Sequence, residues 1–244
     1  AIALLLVSAP AHAGGATDLL PDMRMLRLTD FHVEPAADQR LLRFSTVIVN
    51  VGIGPLDVVG QRRCQFQDPC PKMFARQRIM DSDGGWRKLP AAGRMLYAGD
   101  GHNHWHVQRM ETYELFSLAD PENIALARGA KVGYCFFDNV AHRVDLPGAP
   151  QSPAYGGFGC GMQSSQKTHV GLSVGWGDIY PWDFAYQWID ITDLPDGDYR
   201  VCVTADPEDR FVESNDGNNA VWQDLTLTAG EIELGAHHRS RCVG

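Results

Sequence analysis

Several features that would have assigned this chain quickly are missing from it. No apolar run approaches the roughly 20 residues that a membrane-crossing helix needs. No stretch sustains a helical period, and internal repeats and low-complexity tracts are absent. There is no CxxC pair, which speaks against a thiolate zinc site or a thioredoxin-type redox centre. Positive charge is in short supply: 21 Lys and Arg face 30 Asp and Glu, a formal charge of −9. That balance argues against nucleic acid or an anionic membrane surface as a partner. It is compatible with cationic substrates such as amines.

What is present suits an exported globular chain. Hydrophobic residues make up 44% and charged ones 21%, an ordinary mixture for a chain able to bury a core. The first thirteen residues, AIALLLVSAPAHA, read as an apolar segment closing on an Ala-x-Ala cleavage site at Ala11-His12-Ala13. We read residues 1–13 as the remnant of a secretory signal peptide, residues 14–244 as a single domain, and the location as secreted or periplasmic. Six cysteines, Cys64, Cys70, Cys135, Cys160, Cys202 and Cys242, are an even number and agree with an oxidising compartment. Cys64 and Cys70 bracket QFQDP and could close locally, leaving the other four to tie strands together.

Strand signals dominate. Residues 41–51 (LLRFSTVIVNV) are rich in β-branched and aromatic side chains and run into a turn at Gly52 and Gly54-Pro55, with a further strand starting at 56–59. Residues 60–100 look loop-like, with room for a short helix at 72–80. Extended structure is expected again at 112–118 and 131–137. Residues 139–175 are rich in Gly, Pro and Ser; an irregular segment that long inside a domain is usually functional or pinned by a disulfide, and Cys160 lies within it. Beyond Trp188, IDITDLPDGDYRVCVTADP and FVESNDGNNAVWQDLTL alternate apolar and polar residues around turns. The expected class is all-β, a β-sandwich with long irregular loops and little helix.

Residues 100–110, DGHNHWHVQRM, carry the chemistry. His102, His104 and His106 alternate, and in an extended strand a spacing of two puts all three on one face. Three neutral imidazoles make most of a metal site with a position open for water or substrate, and imidazole suits copper and zinc alike.

The runs GDGHNHWHVQRMETYELFSL, GAKVGYCFFD and SVGWGDIYPWDFAYQWIDITDLPDGDYRVCVTADPEDRFVESNDGNNAV together resemble the catalytic domain of the lysyl oxidase family, in its bacterial form. The similarity is strongest over residues 100–221. It implies a copper-dependent amine oxidase that converts primary amines, lysyl side chains or small amines, to aldehydes with O2, releasing hydrogen peroxide and ammonia. By match, His102, His104 and His106 would hold copper. Lys131 and Tyr180 would be cross-linked as lysine tyrosylquinone, a carbonyl electron sink for the amine. The match pairs Cys135 with Cys160, which leaves Cys202 for Cys242. Asp178 and Asp183 flank Tyr180 and are candidate general bases. His237 and His238 match a family pair but read as a solvated tail. In the animal enzymes cysteines stand where this chain has Trp176 and Tyr186, so a disulfide that would brace the Tyr180 segment is missing.

Without the match, Lys131 would read as a solvated lysine and Tyr180 as a packed aromatic. Two other functions use the same residues. A non-catalytic immunoglobulin-like adhesion module would hold a structural ion at the histidines and release no peroxide. A three-histidine zinc hydrolase would work without O2.

Overall fold

The structure, a computed structural model, describes residues 15–63, 72–98, 101–120, 122, 124–131 and 133–242. The expected signal segment and the Cys64–Cys70 pairing lie outside these residues.

The strand Gln39–Asn50 organises one side of the molecule. Its sequence, QRLLRFSTVIVN, is apolar enough to be covered on both faces over its second half. It pairs antiparallel with Met23–Met25, Thr29–Ala36, Trp176–Tyr180 and Trp188–Asp190. A second sheet runs through Leu56–Arg62, Lys72–Asp81, Trp86–Tyr97 and Trp105–Gln108, with Lys167–Leu172 at one edge and Gly133–Tyr134 at the other. A third joins Glu111–Ser117, Gly197–Ala205, Ala220–Thr228 and Glu231–His238. The all-β expectation holds: among the described residues there is no α-helix, only short 3₁₀ turns at Gly157–Cys160 and Asp216–Asn218. Phe44, Trp105, Tyr113, Tyr134 and Phe136 belong to one core shared by the sheets.

Two expectations need correction. Residues 60–100 are not mainly loop, and 72–80 is not a helix: Lys72–Asp81 and Trp86–Tyr97 form a long hairpin. Lys, Ala, Arg, Gln and Met favour helix in isolation, but Met73, Ala75, Gln77 and Ile79 are buried in strict alternation. A sheet face satisfies that period and a helix cannot. The Asp81 carboxylate closes the turn, accepting from the backbone N–H of Asp83 and Gly85. Glu231–His238 is likewise a strand, so His237 and His238 are exposed strand residues rather than a tail.

The segment 139–175 is partly strand and otherwise firmly tied. Lys167–Leu172 pairs with Leu56–Arg62. Asp138 accepts from the backbone N–H of Ala154, Tyr155 and Ser173, and the Trp176 indole donates to the Pro150 carbonyl. Cys135–Cys160 fastens it to the neighbouring strand, and Cys202–Cys242 closes the other expected disulfide. Asp57, buried, gathers a bidentate Arg78, the Tyr155 hydroxyl and His169, which read as an ordinary polar residue in the sequence. Burial opposes the Asp57 charge, yet the bonds from His169, Arg78 and Tyr155 prevail and keep its carboxyl below the usual range.

Candidate active site

His102, His104 and His106 do converge, but not as one straight strand. The strand begins at Trp105. In a regular strand the first and third histidines would stand about 13 Å apart. Here Asn103 takes φ +50, a left-handed conformation that Asn tolerates better than most residues, and the chain bends. The His102 and His106 rings come within 5.5 Å centroid to centroid, and one nitrogen from each of the three residues falls inside a 4.8 Å span. Trp105 and Val107 point into the core, with the Trp105 indole donating to the Met162 carbonyl. That anchors the backbone from behind.

The electrostatics suit ligation. The His106 Nε2 is buried and has no hydrogen-bond partner. Burial, then the charge of Lys131 and the neighbouring imidazoles, holds the His106 pKa down to about 2. The ring is therefore neutral at any ordinary pH, the form that binds a metal. A buried, neutral, unpartnered imidazole nitrogen beside two others is what a copper or zinc ion fits.

The strand Gly133–Tyr134 pairs with this segment, Gly133 opposite Gln108 and Tyr134 opposite Val107. A side chain at Gly133 would collide with Gln108 and with the His106 Cβ at 2.8 Å, so only glycine permits the approach. That pairing carries Lys131 to the edge of the site. Lys131 is buried, at 5% exposure, which removes the solvated-lysine reading. Its Nζ lies 4.7 Å from the centre of the Tyr180 ring and 5.6 Å from that of Tyr134.

Tyr180 arrives from another sheet, on the strand Trp176–Tyr180, opposite Thr46. Its hydroxyl accepts from the Cys135 N–H at 2.8 Å and donates to the Cys135 carbonyl at 3.1 Å. The ring meets Tyr134 at 4.4 Å and Phe184 at 5.9 Å, and Phe184 in turn reaches His102 at 5.0 Å. The chain holds Tyr180 by its strand partner and a two-bond clamp on its hydroxyl.

The two candidate bases separate clearly. Asp183 is exposed. Asp178 shares a strand face with Tyr180 and is buried; Asn139 bonds one carboxylate oxygen and the other has no partner. Burial raises its pKa well above the usual carboxylate range. Sequence reasoning missed Glu111 altogether. It is 1% exposed, accepts from the Tyr113 and Thr46 hydroxyls and leaves Oε1 unpartnered. Burial pushes its carboxyl up to about 7 against the pull of Tyr134, Tyr113, Thr46 and Lys131. In ETYELFSL it looks like one more polar residue on an alternating strand, and only the groups that meet it from other elements, Thr46 and Tyr134, reveal its burial.

Comparison with known proteins agrees with this geometry. The family model described as lysyl oxidase matches residues 77–235, well over half of the chain, and the chain belongs to the lysyl oxidase family. It is 30% identical to lysyl oxidase homolog 2 of Gallus gallus over 133 residues, covering 54% of this chain and 15% of that protein. To lysyl oxidase homolog 3 of Homo sapiens it is 27% identical over 188 residues, 77% of this chain and 19% of that protein. To human lysyl oxidase homolog 2 the identity is 28% over 174 residues, 64% and 20%. The chain thus spans about a fifth or less of the length of these relatives.

Proposed function

We propose that the chain is a copper-dependent amine oxidase acting on primary amines with O2, through a lysine tyrosylquinone built from Lys131 and Tyr180. The observation that carries this reading is the meeting of Lys131 and Tyr180. Although 48 residues separate them in sequence, the Lys131 Nζ lies 4.7 Å from the Tyr180 ring centre, beside the three histidines. His102, His104 and His106 would hold the copper. Copper bound there would promote oxidation of the tyrosine ring by O2, and the finished cofactor would serve as the electron sink for the amine.

The rest of the chemistry belongs to the side chains. The Cys135 peptide orients the Tyr180 ring through its hydroxyl. Tyr134, Phe184 and the surrounding core exclude water from it. Asp178, on the same strand face as Tyr180, would take and return a proton, and burial raises its pKa well above that of an exposed carboxylate. Two disulfides support an exported protein, and no helix among the described residues is long and apolar enough to cross a membrane.

Neither alternative explains a buried lysine packed on a buried tyrosine. The test is peptide mass mapping of copper-loaded, aerated protein. The expected result is a covalent link between the peptides holding Lys131 and Tyr180, together with reactivity toward phenylhydrazine. Unlinked peptides with no carbonyl reactivity would refute the reading.

A further inference from the structure

Tyr134 and Phe184 both pack on the Tyr180 ring, but they differ in exposure. Tyr134 is fully buried, whereas Phe184 is 37% exposed. Phe184 therefore marks the side from which solvent approaches Tyr180, and its ring also stands 5.0 Å from that of His102. Backbone bonds set its place. The Arg43 guanidinium donates to the carbonyls of Trp182 and Phe184 at 3.0 and 3.3 Å. The Trp182 N–H donates to the Ser45 hydroxyl, and the Phe184 N–H to the Pro181 carbonyl. The turn is thus tied to the strand Gln39–Asn50, and yet Trp182, Phe184 and Tyr186 are 38%, 37% and 47% exposed. Tyr186 takes φ +63, a region that aromatic residues seldom adopt, and such strain tends to collect at functional sites. Aromatic surface held firmly in solvent beside a site marks a ligand contact more often than a packing defect.

We propose that Phe184 is a specificity-determining residue that selects arylalkyl primary amines, the substrate ring packing on Phe184 while its amine reaches the Tyr180 ring. The inference rests on the amine-oxidase reading and adds a substrate class to it. That reading brings a primary amine to Tyr180. Because Phe184 covers the solvent side of Tyr180, the remainder of the substrate lies against it. The two ring centroids are 5.9 Å apart. An aryl group one or two methylenes from the amine then falls within the roughly 4.5–7 Å over which aromatic rings attract one another. A plain alkyl chain of equal length reaches the same place but gains only the burial of its area. The ring contact is therefore what separates the two kinds of amine.

The test titrates para-fluorophenethylamine into the metal-free chain and follows its fluorine NMR signal. The expected result is saturable binding that Phe184→Ala weakens about tenfold, the upper range of what one aromatic pair contributes. Phe184→Tyr keeps the ring and should restore binding to within about twofold of wild type. Phe158→Ala removes a ring that is fully in solvent, at 102% exposure, and should leave binding unchanged. Butylamine should compete about tenfold less well than phenethylamine. In the copper-loaded enzyme, the ratio of kcat/KM for phenethylamine over butylamine should fall by a similar factor in Phe184→Ala. The proposal is overturned if Phe184→Ala binds the probe as wild type does, if Phe158→Ala weakens it equally, or if butylamine competes as well as phenethylamine. Because binding is read without metal, the two readings fail separately. A wild type that binds the probe through Phe184 but oxidises no amine would refute the oxidase reading and leave the arylalkylamine contact standing.

Discussion

The histidine segment and the Lys131–Tyr180 pair are neighbours built in opposite ways. The three histidines come from five consecutive positions, and one bend at Asn103 gathers them, with the rings of His102 and His104 only partly covered. Lys131 lies two residues before the Gly133–Tyr134 strand and Tyr180 ends a strand of another sheet; both are buried, and they meet only because those strands are correctly paired. A metal site can thus be local and open, whereas a cross-linked cofactor needs its halves brought together by the whole fold and shielded from water. The first should survive damage elsewhere; the second should not.

The largest expected effect falls on the distant pair. Tyr180→Phe should abolish amine-dependent peroxide release while copper stays bound. It should also destabilise the protein by about 1–3 kcal/mol, because the Cys135 N–H and carbonyl lose their buried partner. Peroxide release at the wild-type rate in that variant would end the assignment. Lys131→Arg should keep copper but stop cross-linking, since Arg has no nucleophilic amine at working pH.

Next comes the local half. His104→Ala should abolish copper retention and change stability little, as His104 is only partly buried. Elemental analysis after dialysis, paired with a thermal melt, checks both statements. Stoichiometric copper in the variant would remove the ligand assignment.

A third effect is one of pH, in the metal-free protein. The Glu111 carboxyl sits at about 7 when folded against an ordinary 4.5, so the folded chain holds that proton more tightly. The resulting stability is full below about pH 4.5 and is lost as pH rises through 7. Urea unfolding at pH 5 and pH 8 should show wild-type stability falling, and Glu111→Gln should remove up to about 3 kcal/mol of that fall. Glu213, raised to about 8 by burial, should supply a residual slope in the variant. Parallel wild-type and variant profiles would contradict the burial of Glu111 as a proton-binding group.

The smallest effect tests the bend. Asn103→Val places a β-branched residue at φ +50 and should weaken copper binding about tenfold with all three histidines intact, whereas Asn103→Gly should not. Equal affinities would mean that the bend does not assemble the site.

These contrasts also explain what could be read from the sequence. The β-branched and aromatic run of residues 41–51 and the clean alternation beyond Trp188 revealed strands, the second because a half-buried sheet face imposes a period of two. The same period lay in Met73, Ala75, Gln77 and Ile79 but was masked by residues that favour helix. The histidine triple was legible as a set. Its geometry was not, because the bend depends on one dihedral at Asn103. Lys131 and Tyr180 came from family likeness alone, since nothing local distinguishes a buried lysine from a solvated one. Glu111 stayed hidden because Thr46 and Tyr134, which reach it in the core, are distant in sequence.

The clamp on Tyr180 has a mechanical consequence. A phenol held by its strand at Cβ and by a peptide at its oxygen is fixed at both ends of its long axis, like a spindle in two bearings. Tilting the ring would break hydrogen bonds; spinning it breaks none. A half-turn about that axis exchanges two equivalent edges of the phenol, so the same ring carbons face the Lys131 amine whichever way the ring sits. The proposed cross-link would thus form at a ring carbon without the phenol oxygen leaving its seat.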